Sequence, residues 1–154
     1  MTRSYIVFFN GQLKMTGQLL RWDFIMNTEK TLMDFVKQAK SQIQEIDVLE
    51  VQALLEEGYQ VLDVRNPAEF IAGTIEGALN IPRGILEPAA DRQYAGRHEE
   101  LQDRDKKWLL FCASSGRSAM ATVVLQQMGF TNIKNINGGM NAWKAAELVI
   151  ITPE

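Results

Sequence analysis

Short apolar runs along the chain alternate with segments in which apolar residues recur at every third or fourth position. The runs contain branched and aromatic residues and have the length of β-strands. They lie at Val61–Val64, Ala78–Ile81, Trp108–Phe111 and Ile133–Ile136. Strands that alternate with helices are typical of a mostly parallel sheet with helices on both faces. We therefore predict an α/β fold.

An amphipathic helix is predicted over residues 27–45, where apolar residues recur at intervals of three and four. Either Asn27 or Thr28 is suited to cap its first turn. The apolar face consists of Leu32, Phe35, Val36, Ala39 and Ile43. We expect this helix to pack against the main domain, and docking of a partner protein or a second copy is the alternative. Residues 1–26 show little regular pattern and are predicted to form an arm, which could be disordered.

The main domain is predicted to span residues 46–150, since the alternation of strands and helices is confined to this interval. Residues suited to begin a helix precede each helical pattern. The predicted helices follow Asp47, Asn66-Pro67 and Ser118, and a last helix spans Ala142–Ala146. Residues 84–107 are polar and charged, with one more helix predicted around residues 98–101.

The composition is that of an ordinary globular protein. Of 154 residues, 46% are hydrophobic and 23% are charged, and the formal net charge is -3. This balance argues against a basic surface for nucleic acid or for an anionic membrane. No apolar segment approaches the roughly 18 residues that a membrane span requires, and no signal peptide is recognised. The single cysteine cannot form an intramolecular disulfide, which favours a reducing compartment, and we expect the cytoplasm.

Cys112 is the candidate nucleophile because of the residues around it. It follows an apolar strand directly, and ligands of open α/β sheets bind at this end of the strands. The residues after it are Ala113, Ser114, Ser115, Gly116 and Arg117. Small side chains let the backbone curl so that successive N–H groups point inward. The helix that begins near Ser118 adds the positive end of its dipole.

A thiol in this place is expected to lose its proton more readily than a thiol in solution. Arg117 adds a fixed positive charge and a planar donor group that suits oxyanions. A buried structural cysteine would not need such a loop, so a catalytic role is favoured. His98 is the only histidine and has no local partner. A Cys–His protease and a zinc site are therefore both disfavoured.

The chain resembles the rhodanese family, sulfurtransferases that form a cysteine persulfide, over about residues 47–147. The resemblance rests on several motifs in a fixed order, each of which is weak alone. They are Asp63-Val64-Arg65; Glu69-Phe70, Gly73 and Gly77 to Pro82; Cys112 to Ser118; and Gly138-Gly139 with Ala142-Trp143. The resemblance implies a rhodanese-like three-layer fold, with a mostly parallel sheet of about five short strands and helices on both faces.

The resemblance also implies a reaction. Cys112 would take the outer sulfur from a donor such as thiosulfate or a persulfide and pass it to cyanide, a thiol or a protein. The backbone N–H groups of residues 113–117 would stabilise the persulfide, and Arg117 would orient an anionic donor. Neither a metal nor an organic cofactor would be needed, because sulfur itself is the carried group. Such a protein would act without nucleic acid or membrane, as a monomer or a homodimer.

Loop length and two departures from the family pattern bear on the substrate. Four residues separate Cys112 from Arg117, whereas dual-specificity phosphatases on a related scaffold have one more. Sulfur chemistry is therefore favoured over a phosphatase or an arsenate reductase. Thr74 and Ala113 stand where many members carry histidine and a charged or polar residue, which should weaken the capture of small anions. We expect thiosulfate to be a poor physiological donor, and a protein persulfide or a small thiol persulfide remains open.

Three further residues are candidates for a supporting role: Asp63, Arg65 and Ser118. In a functional interpretation, Asp63 lies near the loop and orders it. In the structural interpretation, which we favour, Arg65 pairs with Glu69 or a nearby carboxylate, and Asp63 caps local backbone groups. A binding module with little turnover is the alternative function from another class. Such modules often lose the cysteine, which this chain retains.

Overall fold

The computed structural model describes residues 29–153 and, ahead of them, the backbone of three short strands. These strands are β1 (Phe8–Phe9), β2 (Gln12–Met15) and β3 (Gln18–Leu20). They pair antiparallel in this order, within a compact unit that ends at Leu32. No strand was predicted here, because such short runs show no clear alternation of apolar and polar residues. The proposed capping residues Asn27 and Thr28 lie outside the described residues, and the domain boundaries stay predictions.

The rest of the described chain is built from short helices and strands. The helices are α1 (Leu32–Lys40), α2 (Val51–Glu56), α3 (Pro67–Ile71), α4 (Leu86–Ala90), α5 (Gly116–Gln127) and α6 (Gly139–Ala145). The strands are β4 (Glu45–Ile46), β5 (Gln60–Asp63), β6 (Leu79–Asn80), β7 (Trp108–Phe111) and β8 (Ile133–Ile136). Short 3-10 turns lie at Val48–Glu50, Arg83–Ile85 and Glu99–Leu101. In this part of the chain no helix has the length and apolar character that crossing a membrane requires.

The strands β4 to β8 form one parallel sheet in the order β4-β8-β7-β5-β6. The central strand β7 pairs with β5 on one side and with β8 on the other, and all of its residues are buried. Parallel neighbours require crossover connections, which the helices supply. The carboxyl ends of the strands therefore meet at one edge, and the loops that follow them lie side by side.

The side chains of β7 alternate between two hydrophobic cores, one on each face of the sheet. On one face Trp108 and Leu110 belong to a cluster with residues of α4 and α5. On the other face Leu109 and Phe111 belong to a cluster with residues of α2 and α6, which includes Trp143. Helices therefore cover both faces, and the predicted three-layer α/β architecture is confirmed.

The predicted elements differ from the observed ones mainly at their ends and among the shortest elements. The strands β7 and β8 have the predicted bounds, whereas α5 and α6 begin at Gly116 and Gly139, earlier than predicted. Glycine is a poor helix former, so local propensity places these residues in loops. The helix predicted around residues 98–101 is a single 3-10 turn, and neither β4 nor α4 was predicted.

Two of the predicted helix starts are capping boxes, in which a first-turn glutamate returns to the capping residue. The side chain of Asp47 accepts a backbone N–H of the turn before α2, and Glu50 Oε2 accepts the N–H of Asp47 at 2.7 Å. At the start of α3, Glu69 Oε2 accepts the N–H of Asn66 at 3.1 Å. Glu69 is thereby tied to the backbone, close to the carboxyl edge of the sheet.

Candidate active site

Cys112 is the first residue after the central strand β7 and lies at the carboxyl edge of the sheet. Only 1% of its surface is exposed. Its Sγ atom accepts two hydrogen bonds from Ser118, one from the backbone N–H and one from Oγ, each at 3.4 Å. Because Ser118 lies in the first turn of the 12-residue helix α5, the sulfur sits at the positive end of the helix dipole. A thiolate, or an anion attached to the sulfur, would be stabilised there.

The loop between Cys112 and α5 turns through Ser115, which has a left-handed backbone conformation with φ 76°. This conformation favours glycine and costs a serine about 1 kcal/mol. The buried side chain of Ser115 is held from two sides: Oγ donates to Glu45 Oε1 at 3.2 Å and accepts from Asn135 Nδ2 at 2.9 Å. Asn135 Nδ2 also donates to Glu45 Oε1 at 3.0 Å, so the three side chains form a closed network. Neither Glu45 nor Asn135 was predicted to belong to the site.

Helix α1 joins this network through its last residue. Lys40 Nζ lies 2.9 Å from Glu45 Oε1 and donates to Asn137 Oδ1 at 3.0 Å. Val36, on the buried side of α1, lies against the start of α5, where a Cβ atom added to Gly116 would come within 3.2 Å of it. The C-terminal half of α1 therefore supports the loop that carries Cys112.

The N-terminus of α6 holds the other side of the loop. The N–H of Met140 donates to the carbonyl oxygen of Cys112 at 2.8 Å, and the N–H of Asn141 donates to that of Ala113 at 2.9 Å. This close approach requires Gly139, because a Cβ atom there would overlap the Cys112 carbonyl oxygen. Both Gly138 and Gly139 have positive φ, 72° and 55°, and form the turn that leads into α6.

Arg117 lies in the first turn of α5, and its guanidinium group is bound to a carboxylate. Nη1 and Nη2 each donate to one oxygen of Glu69 at 2.8 Å. The hydrogen bonds from Arg117 lower the pKa of Glu69 from its ordinary value of 4.5 to about 2, and the N–H of Asn66 acts in the same direction. The hydrogen bonds to Glu69 likewise raise the pKa of Arg117. Glu69 is thus a site residue that the sequence analysis did not connect with Arg117, 48 positions away.

Asp63 and Arg65 form a buried ion pair beside the loop. Arg65 Nη2 lies 2.6 Å from Asp63 Oδ2, and Asp63 Oδ1 also accepts the backbone N–H of Arg65 at 3.0 Å. Arg65 Nη2 further donates to the Gly73 carbonyl at 2.8 Å, and the Thr74 hydroxyl donates to Asp63 Oδ2 at 3.0 Å. Arg65 was expected to pair with Glu69 or with a nearby carboxylate. It pairs with the nearby carboxylate Asp63, whereas Glu69 pairs with Arg117. An effect of the Asp63–Arg65 pair on catalysis stays a prediction.

His98 has a local structural role. It caps the 3-10 turn Glu99–Leu101, where its Nδ1 atom accepts the N–H of Glu100 at 3.3 Å. Its backbone N–H donates to the Ala89 carbonyl at 2.8 Å. These contacts lie in the connection between α4 and β7, and they give His98 a structural role that requires no part in catalysis.

Comparison with known proteins identifies the family of this chain. The family model of the Rhodanese-like domain matches residues 47–146. The chain belongs to the rhodanese family. The match contains Cys112, its loop and the ion-paired Arg65 and Arg117, and it begins at Asp47, the residue that caps the turn before α2.

Curated relatives within the rhodanese family carry sulfurtransferase names. Thiosulfate sulfurtransferase 16, chloroplastic, from Arabidopsis thaliana is 35% identical over 101 residues, which cover 64% of this chain and 84% of that protein. Human thiosulfate:glutathione sulfurtransferase is 32% identical over 110 residues, which cover 66% of this chain and 94% of that protein. The chain is therefore a rhodanese-like member of a family of sulfur transferases.

Among solved structures, a protein of unknown function from Rhodopseudomonas palustris is similar over most of its length. The TM-score is 0.74 at 30% identity, and the match covers 82% of this chain and 98% of that one. That protein is described as a possible tyrosine phosphatase. The rhodanese fold is thus shared by proteins to which different reactions have been attributed, so the reaction has to be argued from the site.

Proposed function

We propose that this protein is a sulfurtransferase that carries a sulfane sulfur as a persulfide on Cys112. The observation that carries the proposal is the pair of hydrogen bonds from Ser118 to Cys112 Sγ, at the start of α5. In the first step the Cys112 thiolate attacks the outer sulfur of thiosulfate. A bond forms between Sγ and that sulfur, the sulfur–sulfur bond of the donor breaks, and its electron pair leaves with sulfite. In the second step a thiolate or cyanide attacks the outer sulfur of the persulfide, and the Cys112 thiolate is regenerated.

The loop around Cys112 supports this proposal because it is suited to a bound anion. The carbonyl groups of Cys112 and Ala113 are both engaged by α6, so their partial negative charges are compensated. The backbone N–H groups of residues 113–117 are the proposed donors to the outer sulfur. Ser115 gives the loop its left-handed turn, and the Glu45–Asn135 network keeps that turn in place. Prearranged donors of this kind need no reorganisation during the reaction.

The proposed substrates are a small sulfur donor and a thiophilic acceptor. Thiosulfate and persulfides are the donor classes, and a thiol, cyanide or a protein thiol is the acceptor. The names of the relatives support thiosulfate as donor and glutathione as acceptor for those proteins. For this chain we propose a cytoplasmic protein, either monomeric or homodimeric, that acts without nucleic acid, membrane or cofactor.

A cysteine phosphatase is the second candidate, since the similar structure from Rhodopseudomonas palustris is described in that way. The attacking group would again be Cys112, and Arg117 would bind the phosphate. Only four residues separate them, which leaves a smaller cradle than the phosphatases of the related scaffold have. Hydrolysis of p-nitrophenyl phosphate that depended on Cys112 would support this candidate over sulfur transfer.

The substitution Cys112→Ser tests the proposed function. The intact mass of the full-length protein is measured before and after incubation with thiosulfate or with glutathione persulfide, and again after cyanide. We expect the wild type to gain one sulfur atom and to lose it to cyanide, and we expect no gain in Cys112→Ser, because a hydroxyl group cannot form the persulfide. A serine variant that still gained sulfur, or a wild type that neither donor loads, would contradict the proposal. Thermal unfolding serves as the control for folding.

A further inference from the structure

Three arginines follow the strands at the carboxyl edge of the sheet, and each is bound to a carboxylate. Arg65 follows β5 and pairs with Asp63 at 2.6 Å. Arg83, after β6, pairs with Glu87 at 2.7 Å, and Arg117, after β7, pairs with Glu69 at 2.8 Å. The positive charge of each arginine is therefore compensated by the negative charge of its own carboxylate partner.

The pair closest to the reacting sulfur in the sequence is Arg117–Glu69, and it is held by two parallel hydrogen bonds. Both terminal nitrogens of Arg117 are bound to Glu69, one to each oxygen, which is the planar two-bond arrangement that guanidinium and carboxylate favour. Glu69 is fixed in turn by the Asn66 N–H at the start of α3. Arg117 directly precedes Ser118, whose N–H and Oγ donate to Cys112 Sγ, so the guanidinium group belongs to the same turn of α5 as the donors to the sulfur.

We propose that Glu69 determines the donor specificity of Cys112: by binding Arg117 it makes the site discriminate against dianionic donors and favour donors of lower charge. This inference rests on the proposed sulfurtransferase function and adds the class of donor to it. A dianion that approaches the Cys112 thiolate meets one further negative charge on Glu69 and only one compensating charge on Arg117. A monoanionic thiosulfonate or a thiol persulfide meets the same groups with half of the repulsion or less.

Two donors of similar shape and different charge allow a direct test. Thiosulfate is a dianion, and methanethiosulfonate is a monoanion in which a methyl group replaces one oxygen. Attack by the thiolate on the outer sulfur forms the same persulfide in both cases. The sulfur–sulfur bond of the donor breaks, and the leaving group with its electron pair is sulfite from thiosulfate or methanesulfinate from methanethiosulfonate. The ratio of kcat/KM for the two donors therefore reports on how the site treats the second charge.

The variant Glu69→Gln removes the charge and keeps the size of the side chain and an oxygen that can accept the Asn66 N–H. We expect the ratio of kcat/KM for thiosulfate to kcat/KM for methanethiosulfonate to rise about fivefold, as for the release of an ion pair that is about one-third exposed. The gain should come from a lower KM for thiosulfate, with kcat little changed, because Arg117 becomes available to the bound dianion. Adding Arg117→Ala to Glu69→Gln should abolish the gain.

The control variant is Glu76→Gln, which makes the same change in net charge at an exposed residue. Glu76 precedes β6 and lies beside the first residues of β5, at the amino edge of the sheet, opposite Cys112. We expect it to leave the donor ratio unchanged. An unchanged donor ratio in Glu69→Gln, or an equal rise of that ratio in Glu76→Gln, would overturn the inference about Glu69. Neither result would contradict the proposed sulfurtransferase function. Absence of sulfur on Cys112 of the wild type with both donors would overturn the proposed function, and the inference with it.

Discussion

The hydroxyl of Ser118 is a contact of the sulfur that depends on a particular side chain. Every α-helix offers backbone N–H groups at its start, and the Ser118 N–H on Cys112 Sγ is such a group. The Oγ contact at 3.4 Å exists only because this position carries a serine. The same Oγ also lies 3.3 Å from the Ser115 carbonyl oxygen, so the hydroxyl has two possible acceptors, this carbonyl and the sulfur. A charged acceptor draws the proton more strongly than a carbonyl does, which favours the sulfur once Cys112 is ionised.

At this scale we predict that Ser118→Ala slows persulfide formation about tenfold while the N–H donor and the fold remain. Loss of one hydrogen bond to a charged sulfur accounts for an effect of this size. The rate of sulfur loading from thiosulfate, followed by intact mass, gives the measurement. Ser41→Ala is the matched control, since the Ser41 hydroxyl is exposed and donates to the Gln38 carbonyl at the end of α1. Equal loading rates for the two variants would show that the hydroxyl has no part in the reaction.

Helix α3 is only five residues long, yet it carries Glu69, which binds Arg117 at the start of α5. Glu69 serves two partners at once: Oε2 accepts the Asn66 N–H that begins the helix, and both oxygens bind Arg117 of α5. Helices this short gain little from intrinsic propensity and depend on their caps and tertiary contacts. A single carboxylate therefore contributes both to the stability of α3 and to its position relative to α5.

At the scale of elements we predict that Glu69→Gln lowers the free energy of unfolding by about 1 kcal/mol at pH 7, a figure reduced for solvent screening because the pair is about one-third exposed. The pKa of Glu69 is depressed on folding from 4.5 to about 2. Its stabilising effect is therefore complete above pH 4.5 and is lost as the pH falls toward 2. Urea unfolding of wild type and variant at pH 7 and at pH 3 measures this difference, which should shrink at the lower pH. A pH-independent difference would show that the charge of Glu69 does not stabilise the fold.

At the scale of the whole molecule, the candidate site is formed by residues that are far apart in the chain. Lys40 and Glu45 come from α1 and β4, Glu69 from α3, and Asn135 from β8. All of them lie in the compact unit from Met33 to Glu154, which contains both hydrophobic cores. Within that unit α1 supports the loop directly, through Val36 against the start of α5 and through the ion pair of Lys40 with Glu45.

At this scale we predict that removal of residues 1–25 leaves sulfur loading of Cys112 unchanged, since every side chain described in the site lies beyond them. Removal of residues 1–41 should instead lower the free energy of unfolding by at least about 2 kcal/mol, because it takes away the buried Val36 and Ala39 together with Lys40. Thermal unfolding and intact-mass loading of both truncated proteins provide the measurements. A large loss of loading in the shorter deletion would show that the N-terminal segment takes part in function.

Local sequence information was sufficient to predict the central elements and to single out the candidate nucleophile. The apolar run of β7 specifies a strand because all four of its residues are buried, and β8 is marked by a buried isoleucine at each end. Asp47 and Asn66 specify helix starts because a capping box is completed within four residues. Cys112 could be singled out for the same reason, since strand, loop and helix start are consecutive in the chain. The short β4 and α4 carry no such local signal and were not predicted.

Tertiary structure alone decided which partner each polar side chain of the site has. The sequence offered Arg65 several carboxylates, and only the fold assigns Asp63 to it and Glu69 to Arg117. The Ser115–Asn135–Glu45 network and the contact of Gly139 with Cys112 likewise join residues that the chain keeps far apart. Ion pairs and buried hydrogen bonds depend on distances and angles to within a few tenths of an ångström, which the order of parallel strands sets and residue spacing does not. The sequence by itself therefore determined the candidate nucleophile, and the fold determined the ion pairs and hydrogen bonds of its surroundings.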